Sequence, residues 1–156
     1  MNNSHLLSIR SVAMSLFVCA VSAHAADSCS VSATPGTRPV TTSAATSVAD
    51  YRIDAARHIY EAYASCVLHG KLPPTILAVA LIELAVSKDG LLRDVRFVRV
   101  PPEMPNAIGL LDGMLRSISP FPSAPDAGVE EVRFNEVWMF DENGRFQLGA
   151  LTEGPQ

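Results

Sequence analysis

The chain has 156 residues, 48% of them hydrophobic, and a formal net charge of −4. A mildly acidic domain lacks the basic footprint of a nucleic-acid binder. It also has no long basic amphipathic face with which to lie on a membrane.

Arg10 is the only strong base ahead of an apolar run from Val12 to Val21, and Ala23-His24-Ala25 supplies a small-x-small pattern. This predicts a secretory signal peptide over residues 1–25, cleaved after Ala25, and hence a periplasmic protein. The apolar run is about half the ~20 residues of a bilayer span, so the mature form is expected to have none. Leu16-Phe17-Val18-Cys19 loosely resembles a lipobox, but the bulky Val18 stands where such sites carry a small residue. The remaining chain suits one domain of ~100–150 residues. It is also one unit more negative, because Arg10 leaves with the leader.

Cys19 is lost with the leader, so Cys29 and Cys66 remain. In an oxidising compartment they have two readings: a Cys29–Cys66 disulfide, or a buried Cys66 with a free Cys29 thiol in a mobile tail. Residues 26–47 are mostly Ser, Thr, Ala, Val and Pro without periodicity and are expected to form a flexible linker. The folded domain is expected over residues 48–151, with a frayed tail over 152–156. Ser47-Val48-Ala49-Asp50 has the form of a capping box that opens it.

A first helix is expected from Val48 to Leu68. Tyr51, Ala55, Ile59, Ala62 and Cys66 fall in one sector, Ala56, Tyr60, Tyr63 and Val67 in the next, and Asp54, Arg57, Glu61 and Ser65 on a narrow polar side. So wide an apolar face calls for a sheet and a further element or subunit. Gly70 and Pro73-Pro74 close the helix.

The first strand, Thr75 to Ser87, is apolar on both faces and belongs in mid-sheet. Asp89-Gly90 predicts a two-residue type I′ hairpin. That turn sets Lys88 against Leu91, Leu84 against Val95, Ile82 against Phe97, Leu81 against Val98, and Glu83 against Arg96. A slip of one residue would turn the apolar positions outward. Pro101-Pro102 ends the second strand, and Pro105 suits the first turn of a helix. In that helix Ala107, Ile108, Leu110, Leu111, Met114, Leu115 and Ile118 make the apolar stripe, and Asp112 pairs with Arg116 on the other side. Gly109 and Gly113 weaken it, so packing must supply its stability.

The third strand, about Glu130 to Asp141, alternates. Val132, Phe134, Trp138 and Phe140 face in with Glu136 as the exception, while Glu131, Arg133, Asn135, Val137 and Met139 face out. Asn143-Gly144 is a second type I′ signal, followed by a short return strand from Arg145 to Leu148. The expected fold is α+β: an α-β-β-α-β chain with a three-stranded antiparallel sheet of order 2-1-3, helices packed on it, and a short fourth strand.

An apolar strand, a Lys-Asp-Gly hairpin, a Val-rich strand, a helix carrying Leu111-Asp112, and Pro120-Phe121-Pro122 before a final strand resemble the C-terminal domain shared by TonB and TolA proteins. The resemblance runs from about Asp50 to Phe140. It implies an envelope protein or peptide as partner, captured by strand addition at the last strand, with a link to TonB-type transport. The partner-binding edge it implies comprises Val132, Arg133, Phe134, Asn135, Val137 and Met139. Departures from the family pattern bear on energy transduction: neither an uncleaved membrane helix nor a long Pro-rich spacer is expected, Lys71-Leu72-Pro73-Pro74 stands ahead of the first strand, and Val100-Pro101-Pro102 follows the second.

No cofactor, metal or catalytic residue is expected, since the chain has no Gly-rich phosphate loop, no Ser-His-Asp arrangement and no Cys-x-x-Cys. The enzyme or ligand-carrier reading would rest on His58, Cys66 and His69, on one side of the first helix, which lack an orienting acid or further ligands. A third reading is a self-associating envelope protein, a homodimer formed through the wide helix face or the edge strand.

Overall fold

A computed structural model describes residue 29, residues 40–124 and residues 128–154. The expected signal peptide and most of the expected linker lie outside the described residues. The fold is α+β. Strand β1 (Ala78–Ser87) pairs antiparallel with β2 (Leu92–Arg99) on one side and with β3 (Glu131–Phe140) on the other, and β4 (Phe146–Leu148) joins β3. The sheet order is therefore β2-β1-β3-β4, the expected 2-1-3 arrangement extended by the short fourth strand.

Helix α1 (Val48–Ala62) and helix α2 (Ala107–Ser117) cover one face of the sheet. Alternation along the strands decides which face. Ala78, Ala80, Ile82, Leu84 and Val86 of β1 are buried, as are Val132, Phe134, Trp138 and Phe140 of β3. On the opposite face of β1, Val79, Leu81 and Glu83 are half-buried. Its apolar character follows from its central position, where neighbouring strands shield it edgewise. The core closes on Trp138, Phe140 and Phe146, with Trp138 and Phe146 ring centroids 4.7 Å apart.

Both hairpins depart from the expected type I′ turn in the same way. Gly90 (φ 87°) and Gly144 (φ 77°) have positive φ, but Asp89 and Asn143 do not. Each turn is instead a three-residue loop ending on a left-handed glycine. Ser87 N–H donates to Leu91 O and Gly90 N–H to Ser87 O; Asp141 N–H donates to Arg145 O and Gly144 N–H to Asp141 O. A side chain braces each loop from its first residue. Ser87 Oγ accepts from Leu91 N–H, and Asp141 Oδ1 accepts from Asn143 and Arg145 N–H. At Gly90 a Cβ would overlap the Phe121 carbonyl, so glycine is required by contact as well as by φ.

The longer loop sets Ser87, not the expected Lys88, against Leu91, and an extra β2 residue at Arg93 restores the expected register. Ile82–Phe97, Glu83–Arg96 and Leu84–Val95 pair as expected. Leu81, however, pairs with Arg99 instead of Val98, and irregularities follow Leu81 and Ala85. Extra residues on β2 at these points are bulges, which bend and twist an edge strand.

Ser47 caps α1, its Oγ accepting from Asp50 N–H. The helix stops at Ala62, short of the expected Leu68. A single 3₁₀ turn, Ala64–Cys66, follows, and Val67 then forms a parallel bridge to Phe146 while Leu68 N–H donates to Phe146 O. The demand of β4 for a partner on its outer side overrides helical propensity there. Tyr51, His58 and Tyr63 attach α1 to the α2 region. Tyr51 donates its hydroxyl to Pro122 O, His58 Nε2 bonds Ile118 O, and Tyr63 donates to Met114 O. Burial, together with Asp54, pushes the Tyr51 hydroxyl well above the ordinary tyrosine range.

In α2, Ala107, Leu111, Met114, Leu115 and Ile118 are buried, whereas Ile108 and Leu110 of the expected stripe are exposed. The helix packs against β2, and residues turned away from that contact stay outside.

Residues 41–47, expected as linker, are a packed part of the domain. Thr42 bridges Ser123, Ser43 N–H donates to Ser123 O, Ser43 Oγ donates to Asp54, and Ala45 is buried. Low hydrophobicity did not prevent this, because the segment recruits main-chain and hydroxyl hydrogen bonds instead of apolar burial. Further back, Cys29 is bonded to Cys66 with their Cα atoms 5.3 Å apart. The pair is separated by 37 residues, and closing a loop of that length contributes about 4 kcal/mol on the chain-entropy model. Urea unfolding of the Cys29→Ser/Cys66→Ser variant is expected to show a loss of that order. A loss below about 1 kcal/mol would show that the bridge does not constrain the unfolded chain.

Candidate interaction edges

The expected partner-binding residues lie on β3, and the structure divides them into three groups. Val132 and Phe134 are core side chains. Met139 pairs with Gln147 of β4, and Trp138–Phe140 as a whole are covered on that side. Phe146 and Leu148 are core residues that can be buried only by laying β4 along β3, which closes that part of the edge. Arg133, Asn135 and Val137 remain.

The main-chain direction at these positions follows from the two-residue repeat. Phe140 O accepts from Leu77 N–H and Glu130 O from Lys88 N–H, so the even-numbered residues of β3 point their main-chain groups at β1. The odd-numbered residues point away. Val137 N–H confirms this by donating to its neighbour's side chain, Glu136 Oε1. Arg133 and Asn135 therefore direct their N–H and C=O groups to the side where no strand of the described residues lies. No main-chain group between Glu131 and Asn135 bonds any described residue on that side.

Side chains around this stretch are charged and mutually satisfied. Glu83 holds Arg96 through two hydrogen bonds of 3.1 and 2.8 Å, and Arg133 lies 2.8 Å from Glu131 and 3.5 Å from Glu83. The Arg96 guanidinium keeps the Glu83 carboxyl below its usual range, and Arg133 adds to the effect. The expected Glu83–Arg96 and Asp112–Arg116 pairs both form. Exposed pairs of this kind contribute at most about 1 kcal/mol each, so they orient the surface more than they stabilise the fold.

Sequence reasoning recognised Glu136 as an anomaly in the core pattern but did not find its partner. Its carboxylate is 1% exposed and lies 2.9 Å from Arg52 Nε of α1. It also accepts from Val137 N–H and Ala150 N–H. One carboxylate thus joins α1, β3 and the 3₁₀ turn Gly149–Leu151, and this cluster ends the covered part of the β3 edge. Arg52 lies outside the apolar sectors of α1, and no local spacing links it to a residue so far along the chain.

His58, Cys66 and His69 do not form a reactive group. The Cys66 sulfur is engaged in the disulfide, His58 is buried with Nε2 donating to a carbonyl, and His69 is exposed. Two open clefts of about 260 and 350 Å³ flank Asp54 and Arg57 where α1 meets residues 41–46. Asp54 is already held by Ser43 and Arg57. Among the described residues no group of three His, Cys, Asp or Glu side chains is placed to hold a metal, and no helix is long and apolar enough to cross a membrane. No protein-family model, curated protein or solved structure matches this chain.

The Glu136 cluster gives an asymmetric expectation. Arg52→Ala leaves a buried, uncompensated carboxylate and is expected to cost about 3 kcal/mol at neutral pH. Glu136→Gln keeps an acceptor for both N–H groups and leaves an arginine that is 34% exposed and can turn to water, so it should cost clearly less. Equal losses in urea titrations of the two variants would contradict this account of the site.

Proposed function

We propose that the protein is a secreted periplasmic interaction module that binds an envelope protein by accepting an extended segment along the free part of β3. The observation that carries this reading is the unpaired outer side of Glu131–Asn135, on a strand whose other side is bonded along its whole length to β1. A strand so held presents fixed main-chain donors and acceptors, and strand addition draws its affinity from such groups. Residues from about Asp50 to Phe140 also carry the resemblance to the C-terminal domain shared by TonB and TolA proteins. That resemblance supports a place in a TonB- or Tol-like envelope system. Compared with the six-residue edge expected from sequence, the proposed contact is shorter and centred on Arg133 and Asn135.

The enzyme or carrier reading has less support, because its cysteine has no thiol and its two histidines are not brought together. The interaction reading is tested with Arg133→Pro, which removes an N–H directed away from β1 and leaves the β1–β3 ladder intact. Far-UV circular dichroism is expected to be unchanged and the thermal midpoint to move by no more than ~5 °C. Capture of envelope proteins by the tagged domain should be lost. Undiminished capture by the folded variant would overturn strand addition at this edge.

A further inference from the structure

The sheet has a second open side at the opposite end. Strand β2 is the terminal strand, with β1 on one flank and no strand of the described residues on the other. Leu92 N–H is taken by Ser119 Oγ. Beyond it, no main-chain group from Arg93 to Arg99 bonds any described residue outside β1. The alternation established for β3 carries over to the β1 residues it pairs with and identifies which groups are available. Even-numbered β1 residues point at β3, so odd-numbered ones point at β2, and Glu83 and Ala85 exchange main-chain bonds with Arg96 and Asp94. Val95 and Phe97, paired with Leu84 and Ile82, direct their N–H and C=O groups outward.

The side chains along this edge differ in charge from the rest of the molecule. In eight residues β2 carries Arg93, Arg96 and Arg99 against one acid, Asp94. Arg96 is held by Glu83, but Arg93 and Arg99 make no ion pair or hydrogen bond with any described residue. The chain as a whole is at −4, so this strand is a local basic strip on an acidic protein. Between the arginines, Val98 is 47% exposed and Val100 beyond them is 37% exposed.

We propose that β2 is a second and independent interaction edge, which binds an extended acidic segment of a partner protein as an added strand. Main-chain bonds to Val95 and Phe97 hold the segment, and its carboxylates meet Arg93, Arg96 and Arg99. Charge chooses this occupant. A second copy pairing β2 with β2 would bring the three arginines of each chain together, whereas an acidic strand satisfies those without partners. Opposite charge also speeds encounter and rejects basic segments. The bulges beside Arg93 and Val98 twist the edge, restricting it to a short segment and opposing open-ended sheet growth.

The test titrates the ¹⁵N-labelled protein with a soluble peptide of about eight residues alternating Glu and Val, matched to the length of β2. Amide shifts are expected at Val95 and Phe97, with affinity falling as salt is raised. Arg93→Glu/Arg99→Glu, at two exposed positions without partners among the described residues, should keep the fold and weaken binding about tenfold or more. Methylating alternate peptide nitrogens should abolish binding, because the main-chain bonds are lost. Binding of a Lys/Val peptide with equal affinity would overturn the acidic occupant. Shifts confined to Glu131–Asn135, or no binding at all, would overturn the edge. Concentration-dependent shifts at β2 without peptide would show that a second copy occupies it.

Discussion

The uninterrupted antiparallel ladder between β1 and β3 is the constraint from which the other features follow. Its ten residue pairs run from Ala78–Phe140 to Ser87–Glu131 without a bulge. This fixes β1 in the middle, because its other side is already engaged by a hairpin neighbour. The ladder also aligns Ile82, Leu84, Phe134 and Trp138 on one face, beneath α1 and α2. Moving β3 by a single residue against β1 would turn Arg133 and Asn135 toward the core in place of Phe134. It would also turn Glu136 to the opposite face, away from Arg52.

Much of this was legible because the relevant signals are local and periodic. The apolar run of β1, the alternation of β3 and the Glu83–Arg96 match each report a repeat of two, and together they define the sheet order. What sequence missed depends on contacts between distant segments. The end of α1 is set by the demand of Phe146 for a bridge to Val67, which cannot be seen from the helical stripe between them. Asp89-Gly90 and Asn143-Gly144 correctly marked turns, but the turn type was decided by Ser87, by Asp141 and by the approach of Phe121 to Gly90. The segment 41–47 looked like linker because its composition is polar. Its order comes from hydrogen bonds to Ser123 and Asp54, which hydrophobic patterning does not register.

The candidate site was partly legible for the same reason. Alternation identified Arg133 and Asn135 as outward positions on β3. It did not show that β4 and the Glu136 cluster close the strand beyond them, shortening the available stretch. Nor did it show that the three arginines of β2 border an unpaired edge, since being at the edge is a property of the assembled sheet. The two open sides have different chemistry. The β3 stretch is lined by charges that are already paired, so recognition there would rest on main-chain bonds. At the β2 edge Arg93 and Arg99 have no ion-pair partner among the described residues, which adds selection by charge.

Native-state amide hydrogen exchange tests the ladder and its consequences most directly, because it reads each main-chain donor separately. Val132, Phe134, Glu136, Trp138 and Phe140 should exchange only with global unfolding, like the amides of β1. Arg133 and Asn135 between them, and Val95 and Phe97 on β2, should exchange through small local openings. The account predicts this alternation between successive residues of a single strand. Uniform protection along β3, with Val95 and Phe97 protected to the same degree, would contradict it.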